Sequence, residues 1–313
     1  MTMPDATPAA DRQLPVGGEI FLDHVGHFVR DPQAAAQALA RVGFAPAPLS
    51  VQVNPDPAGG PPQLTGTGNV TAMFARGYVE VLFKTADTPL GRELDAGLAR
   101  YPGIHLAAFA VADAGAEHAR LAAAGFRMQP VISMQRPVET VNGAGTAAFT
   151  LARLEAGQMS EGRIQMLTHH TEDMVWQPRW LTHPNGAFGL AGLTIAVADV
   201  NEAAARFARF TGRSAETSPA GTSIRLDRGR LDLVAADVFA RLYPECLVPS
   251  LPFAGACRIA VASLPALEAI LNKAGLRSRR MNDTLVVPFP DELGHGLWLF
   301  AERSALSPDI GKR

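Results

Sequence analysis

Leu22-Asp-His-Val-Gly-His-Phe-Val-Arg-Asp31, with the Pro-Gln-Ala-Ala-Ala-Gln-Ala-Leu-Ala-Arg-Val-Gly43-Phe44 that follows it, decides the fold. An apolar strand runs to an aspartate that can cap a helix. An Ala-rich amphipathic helix then continues to a glycine suited to a left-handed C-terminal position. Three further segments repeat the plan. His105-Leu-Ala-Ala-Phe-Ala-Val-Ala-Asp113 leads to Gly125-Phe126, Leu193-Thr-Ile-Ala-Val-Ala-Asp199 to Gly212, and Arg258-Ile-Ala-Val-Ala-Ser263 to Gly275-Leu276. The capping residue and the last helical turn are about 13 residues apart each time, and helix starts are spaced roughly 82, 86 and 64 residues. Four agreements of this kind make an internal repeat.

Strand patterns follow each helix. After the first come 48–53, then Gly66-Thr-Gly-Asn69 leading into 70–75, then Gly77-Tyr-Val-Glu-Val-Leu-Phe83. After the second come 129–134, then Gly143-Ala-Gly-Thr146 leading into 147–154, then Arg163-Ile-Gln-Met-Leu167. Both hairpin entries use glycine for the turn. The later modules are shorter, with strand patterns at 221–226, 230–234, 284–288 and 296–300. One helix per group of antiparallel strands is α+β. The sequence therefore predicts four βαβββ modules in two tandem barrels. The expected divisions are a disordered leader over 1–18, an N-terminal barrel over 19–170, a connector over 171–188, a C-terminal barrel over 189–303 and a tail over 304–313. Pro178, Pro184 and Asn185-Gly186 mark the connector as a loop, while Trp176 and Trp180 make it one that packs down.

Composition narrows the function classes. The 313 residues are 47% apolar and 19% charged with a formal net charge of −2, so nothing selects for nucleic acid or an anionic membrane. Cys246 and Cys257 form neither a disulfide framework nor a zinc spacing, which fits a reduced, cytoplasmic setting. The Pro-, Ala- and Gly-rich start lacks the basic and apolar regions of a signal peptide, and no apolar run reaches membrane length.

The first strand, Leu22-Asp-His-Val-Gly-His-Phe-Val, together with Tyr78-Val-Glu-Val-Leu82, resembles the opening module of the vicinal-oxygen-chelate superfamily. Gly66-Thr-Gly-Asn69 and Thr168-His-His-Thr171 resemble its glyoxalase-like members. The resemblance implies paired modules enclosing a divalent metal, zinc, nickel, manganese or iron, with ligands from the first and fourth strands of each module. Carried over residue by residue, those ligands are His24, Glu80, His105 and Gln165. Strand alternation sets Glu80 on the face opposite Val79 and Val81. Counting along the second module lands on Leu106 rather than His105, so His105 needs a bulge to aim inward. Gln165 stands where the pattern more often has Glu, and an amide is a weaker ligand.

The matching positions of the second half are Gly192, Asp232, Ala256 and Trp298, a set without imidazole that implies no metal there. Two imidazoles and one carboxylate would let a metal polarise a carbonyl, with Glu80 as the proton carrier and His170 as a further acid or base. The resemblance thus implies a small-molecule enzyme of isomerase or lyase type, working as a monomer or homodimer. An Fe(II) extradiol-type dioxygenase and a non-catalytic binding or resistance protein are the alternatives.

Overall fold

The computed structural model describes residues 8–54 and 60–303, in which sixteen strands and seven helices form. Residues 1–7 of the expected leader and the whole expected tail, 304–313, lie outside this range. Module one is β1 (Ile20–Phe28), α1 (Pro32–Arg41), β2 (Ser50–Asn54), β3 (Gln63–Met73) and β4 (Tyr78–Lys84). A helix between modules, α2 (Pro89–Arg100), precedes β5 (Gly103–Val111), α3 (Ala114–Ala123), β6 (Ile132–Thr140), β7 (Gly143–Arg153) and β8 (Arg163–His169). After a short α4 (Glu172–Val175), module three is β9 (Ala187–Val197), α5 (Val200–Thr211), β10 (Ala215–Ser218), β11 (Gly221–Arg225) and β12 (Arg230–Ala235). A second inserted helix, α6 (Ala236–Leu242), leads to β13 (Phe253–Val261), α7 (Leu264–Lys273), β14 (Arg279–Met281), β15 (Thr284–Pro288) and β16 (Leu297–Glu302).

In every module the first strand pairs in parallel with the fourth. The first strands of partner modules pair antiparallel, β1 with β5 and β9 with β13. The N-terminal half therefore reads β2-β3-β4-β1-β5-β8-β7-β6, and its two edge strands approach each other as the sheet curls. The C-terminal half repeats this order as β10-β11-β12-β9-β13-β16-β15-β14, and the halves join where Ala254 of β13 bridges Ile104 of β5. Helices α1, α3, α5 and α7 cover one face of this sheet. The largest core lies between that face and residues such as Leu39, Leu121, Phe207 and Leu267, all buried.

The repeated caps form as the sequence predicts. Asp31 accepts from the Ala34 amide at 3.0 Å, Asp113 from Gly115 and Ala116 at 2.8 and 3.0 Å, and Asp199 from Asn201 and Glu202 at 2.9 and 3.0 Å. Replacing Asp113 with Ala leaves two first-turn amides without that acceptor. We expect a loss of about 1 kcal/mol, read as a lower urea midpoint at unchanged slope.

The two interiors differ. Inside the C-terminal half, Phe239 and Tyr243, carried by α6 and the residue that ends it, pack with Phe253, Leu297 and Leu299. Inside the N-terminal half, Tyr78, Leu82, Leu106 and Phe149 line a space that no helix fills. α2 instead caps the flank, with Leu94 and Leu98 buried against it and Thr88 accepting from the Gly91 amide at 3.0 Å.

Residues 8–18, expected as part of a disordered leader, pack against the body. Gln13 is buried, and Arg228 Nη1 donates to the carbonyls of Arg12 and Gln13 at 2.8 and 2.9 Å. The connector is tied down as well. The backbone N–H and side-chain Nδ2 of Asn185 donate to the carbonyls of Gly43 and Val42. His183, buried, bridges the Ala45 amide and the Met73 carbonyl. Both cysteines are free and buried. Among the described residues, no helix is long and apolar enough to cross a membrane.

Candidate active site

A cavity of about 210 Å³ opens inside the N-terminal half, and His24, Glu80 and Gln165 all line it. Alternation explains the convergence. Tyr78, Glu80 and Leu82 point into the cavity, whereas Val79 and Val81 join the helix-side core. β3 contributes Thr67, Asn69 and Thr71 from the same face, and Asn69 Nδ2 donates to Glu80 Oε1 at 2.6 Å.

His24 is held by a residue that alternation assigns to the other face. The pairing of β1 with β5 slips between Leu22 and His24, so that Asp23 is an extra residue in the ladder, a bulge that lets neighbouring side chains meet. Asp23 is fully buried, and its Oδ2 lies 2.7 Å from His24 Nδ1. Its other oxygen, Oδ1, lies 3.2 Å from His169 Nε2. Burial pushes the Asp23 carboxyl up, but His169 and His24 outweigh it and hold the group well below the usual carboxylate range. An ionised Asp23 accepts from His24 Nδ1 and turns Nε2 toward the cavity, 3.7 Å from Glu80 Oε2. The imidazole also stacks on Tyr78, with centroids 4.3 Å apart.

The bulge depends on a glycine. Gly77 has φ +74°, and a Cβ there would lie 2.5 Å from the Asp23 carbonyl oxygen. Behind the dyad, Trp176 of the connector packs on His169 at 4.5 Å.

Two expected site residues are elsewhere. His105 does not face the cavity; Leu106 does. β5 is irregular at this point, since Gly26 pairs with Leu106 while His27 pairs with Ile104, but the extra residue turns its ring toward the seam between the halves. There His105 Nε2 lies 2.7 Å from the Tyr101 carbonyl, with the Tyr101 ring 4.1 Å away. His170 is exposed, because it lies just past β8 and bonds to Thr150 at 2.7 Å. The sequence reading singled out neither Asp23 nor the arginines below, and for β16 it chose Trp298, whose side chain lies on the helix side while Leu297 and Leu299 fill the interior.

Three arginines line the cavity: Arg136, Arg153 and Arg163. Arg163 makes a two-pronged pair with Glu93 at 2.8 and 2.9 Å. Arg153 Nε donates to Gln165 Oε1 at 2.9 Å, and burial followed by the nearby Arg163 pushes its guanidinium down to about 10.

A model of the glyoxalase-like domain matches residues 22–211, and the chain belongs to that family, of the vicinal-oxygen-chelate type. No curated protein matches the sequence. Among solved structures, a hypothetical protein from Staphylococcus aureus superposes with a TM-score of 0.61 at 10% identity, covering 90% of this chain and 99% of its own. A variant of 4-hydroxymandelate synthase from Streptomyces coelicolor gives 0.53 at 12% identity, covering 91% and 94%. The Mn(II)-bound glyoxalase from Novosphingobium aromaticivorans gives 0.51 at 13% identity, covering 91% and 82%. These likenesses bear out the tandem α+β barrels.

The superfamily implies a divalent metal in this cavity, and the donors here do not fit one. Among the described residues no three His, Cys, Asp or Glu side chains converge as a ligand set. Of the four ligand positions, Leu106 offers no donor atom, and the oxygen of Gln165 is turned to the cationic Arg153. One imidazole and one carboxylate remain, beside a guanidinium that would repel a dication.

Proposed function

We propose that the N-terminal cavity moves a proton on a small oxygen-bearing substrate, as an isomerase or lyase, with His24 as the base and Asp23 orienting it. The observation that carries this reading is the buried Asp23–His24 pair, with Nε2 turned to the cavity wall beside Glu80. His24 Nε2 takes a proton from a carbon next to a carbonyl. The C–H electron pair moves into the carbon framework and leaves charge on the carbonyl oxygen. Asp23 stabilises the imidazolium so formed. In a 2-hydroxycarbonyl compound, transfer of the hydroxyl proton to the former carbonyl oxygen and return of the abstracted proton to the former carbonyl carbon complete an isomerisation; collapse of the enolate with loss of a group from the β-carbon, which leaves with its bonding pair, completes an elimination. Glu80, held by Asn69, stands within the same cavity as a second proton carrier. The metal-centred isomerase and the Fe(II) dioxygenase both need a third strong ligand, which Leu106 does not supply.

The test is solvent exchange. Protein incubated in D₂O with a panel of small 2-hydroxyketones and 2-hydroxyaldehydes is expected to exchange the hydrogen next to the carbonyl of at least one compound, by proton NMR. A chelator should leave the rate unchanged. Exchange that stops on chelation, or none across the panel, would reject the reading, and ligand binding without exchange would favour the non-catalytic binder.

A further inference from the structure

We infer that the cavity recognises a carboxylate, held by Arg153 and Arg136, so that its ligand is a small amphipathic monocarboxylic acid. The inference rests on the proposed function only in placing the substrate in this cavity.

The cation balance comes first. Of the three cavity arginines, Arg163 is neutralised by Glu93. Arg153 spends one N–H on the neutral amide of Gln165 and, among the described residues, has no carboxylate partner. Arg136, on β6, makes no hydrogen bond or ion pair among the described residues, and its charge is felt by Tyr78 across the space. The one acidic group lining the cavity, Glu80, is engaged by Asn69 and faces His24. Two guanidinium groups thus face a confined space without an ion-pair partner in contact, Arg153 feeling Glu93 and Glu80 only from a distance. Burying such groups is unfavourable without an anion, and the depressed proton affinity of Arg153 is the same fact from the side of the cation.

Shape and polarity choose among anions. A guanidinium presents paired N–H groups that match the two oxygens of a carboxylate. Leu82, Leu106, Ile132, Phe149 and Leu151 make much of the rest of the wall apolar, which suits an alkyl or aryl body rather than a sugar or polyphosphate. A carboxylate on Arg153 would lie beside Gln165, on the fourth strand of module two, the counterpart of Glu80 on module one, so the reactive carbon and the anchor would approach from opposite modules.

Titration calorimetry with hexanoate, phenylacetate, phenylacetamide and phenylphosphonate tests this. Wild-type protein should bind at least one of the two carboxylates, with phenylacetamide at least tenfold weaker than phenylacetate. Arg153→Met and Arg136→Met should each weaken the carboxylate at least tenfold, with melting temperatures near wild type; Arg153→Lys should recover part of the loss. His24→Ala should retain carboxylate binding, so failure of the proton-transfer reading and failure of this one are separable. Equal binding of the amide, unchanged binding by Arg153→Met, tighter binding of phenylphosphonate than of phenylacetate, or binding of neither carboxylate would each overturn the assignment.

Discussion

Acidification from pH 7 to pH 4 is expected to remove about 6 kcal/mol of folding stability through two buried histidines. His27 and His105 are both pushed down to about 4, in each case chiefly by burial. The unfolded chain binds their protons near 6.5, whereas the folded protein does so only near 4. Below 6.5 the unfolded state therefore carries more protons, and stability falls as pH falls, levelling off below about 4. Each group contributes about 3 kcal/mol across that window. His27 is held at Nδ1 by the Leu293 carbonyl at 3.2 Å, with Nε2 left without a partner, and both rings lie near the seam of the two halves. Urea midpoints at pH 7, 5.5 and 4 should fall steeply in wild type and about half as steeply in His27→Leu. An acid limb of equal slope in both proteins would show that the titrating groups lie elsewhere.

Asp23→Asn is expected to lower the exchange rate about 10³-fold or more, since an amide at that place can favour the wrong imidazole tautomer. His24→Ala should do at least as much, and the double variant no more than the worse single one, because the two act as a unit. Binding of the carboxylate probe should survive in all three. Exchange rates within tenfold of wild type in Asp23→Asn would remove the orienting role, and rates within tenfold in His24→Ala would remove the base.

How far the sequence is legible depends on whether a feature is periodic. The caps at Asp31, Asp113, Asp199 and Ser263 recur at fixed offsets, and the four-module plan follows from them. Glu80 is placed by simple alternation, and the fourth-strand position of Gln165 comes from the same count. What escapes is aperiodic. Asp23 reaches His24 through a slipped ladder, and His105 is turned to the seam by another slip; nothing in residue order marks either. α2 has leucines at Leu90, Leu94 and Leu98 that a helical count could have found. Arg136 and Arg153 come from a hairpin whose curl, and not its composition, aims them inward. Counting alone also shifts the β16 position by one, from Leu299 to Trp298.

The helix α6 gives the two halves unequal duties. By lodging Phe239 in the later half, where Tyr243 follows it, the chain makes its own side chain the permanent guest of that vessel. The earlier half forgoes such an occupant and with it the contacts that would line its void. A duplicated architecture has in this way been split into a sealed twin and an open one. Anything that dislodged the resident aromatic ring would turn the sealed twin toward the openness of its neighbour.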